Sequence, residues 1–400
     1  MPSRLLKTFC KISVFTTGGR GLALCSARFF ERDFFMAFES GSISFRLFHM
    51  AHKMNDEAVK QFAKRALPPL DTLGEGKVLG WVTGRHLLDR HLTTDTAHYG
   101  GYLRLTLVGA ERKIPSALFR AECKMEELAQ LAASGNERLS ARARSEIRES
   151  VTSRLLPQMP PQLKAQPFVA EVAGDRLWAT ALSDGQAEDF AMQFGQSAGI
   201  TPIPMTPEAA AARRKIDVRQ WDVSVFSPEA EGEPVSDRVG HDFLTWFWFI
   251  AEARRGLVTL PELGEFGLLL EGPLTFVMEG GGAHEIVLRK GEPRVSAEAK
   301  AALLAGKKLK RAKIAFARGD DVWSCALDAD SFAFRGLKLP QTEQLDAVSR
   351  FQDRMRMIEM FCDVFYGLFD QFAQERNDKA RWPDTLKEIR KWIAGRYSRH

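Results

Sequence analysis

The run Gly306-Lys307-Lys308-Leu309-Lys310-Arg311-Ala312-Lys313-Ile314-Ala315-Phe316 marks a change of period at its glycine. Before it, Ser296 to Leu304 reads as a short helix that Ser296 caps and Gly306 ends. After it, alternation takes over. Ile314 and Phe316 share one face with Lys308 and Lys310, and Leu309, Arg311 and Lys313 take the other. Gly319-Asp320 then turns the chain into Val322 to Leu327, which predicts a hairpin. Five cations therefore sit close together on one stiff element with an apolar end. Two readings stand side by side: a seat for a phosphate backbone, or an edge strand that lysine keeps soluble and unpaired.

Upstream, Gly264 to Glu279 and Glu285 to Lys290 predict two more strands around Gly280-Gly281-Gly282. That triple glycine lacks a following helix and a lysine at phosphate-loop spacing, so it is not a nucleotide loop. His241 to Arg254 is apolar almost all round and predicts a buried helix. A base-stacking platform would need exposed rings on a basic face. Downstream, Val348, Phe351, Met355, Ile358, Cys362, Phe365, Phe369 and Phe372 recur in steps of three and four. This heptad seam faces the core or docks a second chain, and the core is the simpler reading. Asp384 to Arg396 reads as a basic amphipathic helix.

Toward the N-terminus, Ile43, Phe45 and Leu47 alternate with Ser42, Ser44 and Arg46, a half-buried strand. Asn55 caps a helix carrying Ala58, Val59, Phe62 and Ala66 that stops before Pro68-Pro69. Tyr102 to Val108 is another strand. Arg112-Lys113-Ile114-Pro115-Ser116 opens a helix through Phe119, Cys123 and Leu128 to Ala133. A second helix, Glu137 to Arg154, carries Arg138, Arg142, Arg144 and Arg148. It reads as a solvated face offset by Glu146 and Glu149. Phe168 to Val172 and Leu177 to Leu182 flank a turn at Gly174-Asp175, a helix follows from Asp184 to Ser197, and Ile200 to Met205 is an edge strand or linker cut by Pro202 and Pro204. The fold class is α+β. The expected divisions are an N-terminal region over 36–215, a central region with the basic hairpin over 216–340, and C-terminal helices over 341–400. The loop Ser227 to Asp237 lies at the main boundary.

The chain has 400 residues, a formal net charge of +5 and a pI near 8.9. The charge is unevenly placed. Residues 1–35 hold six cations against two acids, which leaves residues 36–400 with a net charge of only +1. The body is nearly neutral, so polyanion binding would have to come from segregated charge. Residues 1–35 read as a leader or as an upstream start ahead of Met36, and are expected to be poorly ordered. The five cysteines are widely spaced without a Cys-x-x-Cys, which argues against a disulfide framework or zinc ribbon and for a reducing compartment. No apolar run reaches the roughly 18 residues of a membrane span.

No specific catalytic constellation is present: no nucleophile elbow, Walker loop or zinc spacing. The densest group of metal-ligand types is His86, Asp89, His91, Asp95 and His98. Such residues could hold a hydrolytic metal, and a metal-dependent nuclease is the alternative function they suggest. A solvated loop is the simpler reading. A third option is a structural subunit whose heptad helix docks a protein.

The order of several short motifs resembles the RdgC family, the recombination-associated proteins of bacteria. Lys113-Ile114-Pro115-Ser116 opens the charged helical pair. Leu155-Leu156-Pro157 follows, then the hairpin, Ala187-Glu188-Asp189, and Ile200 to Pro204. Met36 to Met50, Gly80-Trp81-Val82 and Glu298 to Lys308 extend the likeness over most of 36–375. Residues 1–35 have no counterpart, and the aromatic block around Trp246 and Trp248 is similar to the family's longer branch. The resemblance implies a horseshoe-shaped subunit that pairs into a ring-shaped homodimer with a positively lined hole. It implies duplex DNA as partner without sequence preference, with single strands as a second candidate. It also implies restraint of RecA recombinase, a cytoplasmic nucleoid location, no cofactor and no catalysis. The phosphate contacts expected are Lys307, Lys308, Lys310, Arg311 and Lys313, with Arg112, Lys113, Arg120 and Lys124 next.

Overall fold

The structure, a computed structural model, describes residues 37–55, 57–135, 137–229, 238–278, 285–341 and 346–396. The segment 1–35, the triple glycine at 280–282 and most of the 227–237 loop lie outside the described residues.

The N-terminal part runs β1 (Ile43–His49), α1 (Ala58–Lys64), β2 (Lys77–Thr83), α2 (Thr94–Ala97), β3 (His98–Tyr99) and β4 (Tyr102–Arg112). The helical pair α3 (Ser116–Ser134) and α4 (Ala141–Leu155) follows. Then come β5 (Pro161–Glu171), β6 (Arg176–Ala179), α5 (Asp184–Ala198), β7 (Ile203–Pro204) and α6 (Pro207–Arg213). The rest runs α7 (Val239–Ala253), β8 (Leu257–Leu260), β9 (Gly264–Val277), β10 (Ile286–Leu288), α8 (Ala297–Leu304), β11 (Lys308–Arg318), β12 (Asp321–Asp328), β13 (Ala333–Lys338), α9 (Ala347–Asn377) and α10 (Trp382–Gly395).

The strands form one antiparallel sheet in the order β10-β9-β11-β12-β13-β1-β6-β5-β4-β2, with β3, β7 and β8 paired off this path. The fold class is therefore α+β built on a large antiparallel sheet. β1 joins the two halves, pairing with β13 on one side and β6 on the other. That position explains a difference from the sequence expectation of a half-buried strand. Ile43, Phe45 and Leu47 do enter one core, but Phe48 enters a second core on the opposite face, and Arg46 is closed from solvent as well. A strand in mid-sheet with both faces covered loses the polar-out signature.

The main core packs α7 and α9 on the β9–β11–β12–β13–β1 part of the sheet. The heptad seam of α9 is core: all its residues except Val348 are buried, with Phe365 stacked edge-on against Phe332 and Phe334. The second core lies on the other face of the N-terminal strands, where α1 and α5 bring Phe62, Phe190 and Phe194 around Trp81. Gly80 lets the chain at Ala66 and Leu67 cross β2 closely. A Cβ on Gly80 would stand 2.4 Å from Leu67 Cα, and Trp81 exchanges backbone hydrogen bonds with Arg65 and Leu67 at the same crossing.

Candidate nucleic-acid interface

The basic stretch after Gly306 forms β11 and pairs with β12 as a hairpin. Its two faces are not those of a plain alternation. Against β9 the register slips between Leu309 and Arg311, so Lys310 is a bulge residue. Leu309 consequently joins Ile314 and Phe316 in the core, while Arg311 and Lys313 stay on the opposite face.

The cations themselves are spread over three environments. Lys307 is buried at the turn behind α8, its N–H bonded to Ala302 O. Lys308, expected at a phosphate, is instead inside the protein. Its Nζ lies 2.5 Å from Asp242 Oδ1 and 5.3 Å from the Phe226 ring centroid. Burial removes both lysines from the accessible surface, and this corrects their assignment as phosphate contacts. Lys310 Nζ lies 3.3 Å from Asp330, which also accepts from His241 Nε2 at 2.8 Å. The His241 hydrogen bond, opposed by burial and helped by Lys310, holds the Asp330 carboxyl well below the usual range. Arg311 Nε donates to Asp328 at 2.8 Å and Lys313 Nζ to Glu271 at 2.6 Å, both part-exposed.

Arg112 also differs from expectation. Its guanidinium donates to the carbonyls of Leu70, Leu73, Pro157 and Met159, stapling two loops together. Its donors are spent on backbone. Lys113 is exposed and pairs with Glu111 at 3.1 Å.

Arg120 and Lys124 stand on the α3–α4 pair, which has a small core of its own made by Cys123, Ile147, Val151 and Leu155. On one side of this pair, Arg154 reaches Glu122 at 3.0 Å and Glu126 at 3.3 Å. Helical spacing puts Arg120 and Lys124 of α3 on the other side, together with Arg144 and Arg148 of α4. All four are exposed. Lys124 pairs loosely with Glu127 at 3.6 Å, and the other three form no ion pair among the described residues. Of the acids expected to offset the α4 arginines, Glu146 pairs with Arg142 and Glu149 accepts from Ser145 Oγ, and neither reaches Arg144 or Arg148. One side of the pair is thus neutralised and the other is basic. Arg144 and Arg148 were readable as a spacing of four, but not their segregation from the acids.

The His86–His98 segment gathers no metal site. Asp89 accepts from Thr83 Oγ1 and from His91 N, His86 Nδ1 accepts from Leu88 N, and His98 Nδ1 meets Thr94 O. Among the described residues no group of three His, Cys, Asp or Glu side chains could hold a metal ion. No helix is long and apolar enough to cross a membrane.

A family model described as "Putative exonuclease, RdgC" matches residues 42–221, the span from β1 through the helical pair to just beyond α6. None of the curated proteins matches the chain.

Proposed function

The chain belongs to the RdgC family, and on that premise we propose that it is a DNA-binding protein that holds duplex DNA by its phosphates without reading bases. The observation that carries this reading is the basic side of the α3–α4 pair, where Arg120, Lys124, Arg144 and Arg148 face solvent with a single carboxylate, Glu127, between them. Arginine and lysine at such spacing neutralise phosphates and release counterions, and they carry no base code. Arg311 and Lys313 are the members of the β11 stretch that reach the surface, and we place them as further contacts.

In this reading a horseshoe-shaped subunit pairs with a second copy, the ring encloses the duplex, and occupancy of the DNA restrains RecA-dependent recombination in the nucleoid. The α3–α4 pair has its own small core, and its outer face exposes Leu118, Met125 and Leu128. Such a stripe suits contact with a second copy. The exonuclease description belongs to the family model. Incubating labelled DNA with magnesium or manganese tests for it, and turnover abolished by His91→Ala would favour the nuclease reading.

The deciding experiment is a salt titration of binding to random-sequence duplexes. Log K is expected to fall linearly with log salt, with a slope of about −0.9 per phosphate neutralised. A flat dependence would overturn the proposal. Retention on closed circular DNA, with loss from linear DNA at raised salt, tests the ring.

A further inference from the structure

The strands β9, β11, β12 and β13 carry α7 and α9 on one face. On the opposite face Arg311 and Lys313 point outward from β11, above Asp328 and Ala326 of β12. Simple alternation would give β13 only one of its two cations on that side, since Arg335 and Lys338 are three residues apart. The register shows otherwise. Ala326 pairs with Arg335 and Ser324 with Lys338, so Gly336 and Leu337 together stand opposite Cys325. This is a bulge, and Gly336 has the positive φ of 62° that it needs. Both cations therefore emerge on the same face as Arg311 and Lys313.

Arg335 and Lys338 are exposed and form no ion pair among the described residues. Small side chains such as Ala315, Ser324 and Ala326 keep the surface between the cations low. Lys313 and Arg335 stand two strand spacings apart, about 10 Å, which lets separate phosphates of one backbone be held. The face has four cations against three acids, Glu265, Glu271 and Asp328, of which Glu271 pairs with Lys313 and Asp328 with Arg311. Its large exposed apolar side chains, Val287 and Leu257, stand apart on the flanking strands β10 and β8.

We infer that this open sheet face is a second docking surface for the phosphodiester backbone of a nucleic acid, with Arg335 and Lys338 as its unneutralised contacts. The inference rests on the DNA-binding reading. It adds a site whose contacts on β13 lie three strand positions from β5 and four from β4, beside which the α3–α4 pair emerges, or about 14–19 Å along the sheet.

The test uses the full chain and a random duplex, comparing wild type with Arg335→Glu/Lys338→Glu. The expected result is a salt slope smaller in magnitude by about 2 and affinity at least about tenfold weaker at moderate salt. An unchanged slope and affinity would overturn the inference while leaving the DNA-binding reading intact. Absence of salt-dependent binding by wild type would remove that reading itself. Glu271→Gln provides an arm that keeps the basic residues. Freeing Lys313 should tighten binding, and unchanged affinity counts against the site, including where the double variant fails to fold. Cosedimentation with phosphatidylglycerol vesicles is run in parallel. If the double variant loses vesicle binding but keeps duplex binding, the face serves a membrane and the inference falls.

Discussion

Lys308 Nζ and Asp242 Oδ1 form an ion pair of 2.5 Å in which both side chains are about 6% exposed. The pair ties the first strand residue of β11 to the first turn of α7. Beside it, Thr245 Oγ1 accepts from Leu309 N. A lysine in a basic stretch thus contributes to packing and not to the surface.

Breaking a buried pair from one side strands the remaining charge. Lys308→Met is expected to cost about 3–5 kcal/mol, measured by urea denaturation. Adding Asp242→Leu should recover much of the loss. Wild-type stability in Lys308→Met together with lost DNA affinity would show that the lysine faces the ligand after all.

Asp330 gives a pH dependence with a definite sign. Its carboxyl is depressed in the folded protein, chiefly by the hydrogen bond from His241 and then by Lys310. Its contribution is therefore present above the unfolded carboxylate pKa, and is lost as pH falls from there toward the lower folded value. Asp330→Asn should flatten the stability curve between about pH 5 and the acid limit. Glu359 and Asp363, raised by burial, act in the opposite sense: their cost at neutral pH is relieved as they protonate on acidification. An acid limb in Asp330→Asn as steep as in wild type would remove Asp330 from this role.

Arg396 holds the C-terminal helix. Its guanidinium lies 4.1 Å from the Trp248 ring centroid and 4.7 Å from that of Trp392, and it pairs with Glu252 at 2.5 Å. Lysine keeps the charge but cannot stack between two indoles. Arg396→Lys is expected to lose about 1–2 kcal/mol, seen as a lower thermal midpoint. An unchanged midpoint would mean that the stacking adds nothing.

Much of this architecture was legible locally. Ser296 does cap its helix, Gly319 does turn β11 into β12, and the α9 seam was visible as a heptad repeat. What was not legible depends on neighbours distant in sequence. The bulges at Lys310 and Gly336 are set by the register of adjoining strands. The acids that meet β11, namely Asp242, Glu271, Asp328 and Asp330, come from other elements. Charge count along a strand cannot foresee which cations the fold will neutralise.

The claim that the basic side of the α3–α4 pair grips phosphates is tested most directly by the salt slope of duplex binding in Arg144→Glu/Arg148→Glu. Arg154→Glu, altered on the neutralised side, serves as the reference. The double variant should lose about 2 from the magnitude of the slope, while Arg154→Glu keeps the wild-type slope. Identical slopes and affinities in wild type and the double variant would contradict the account.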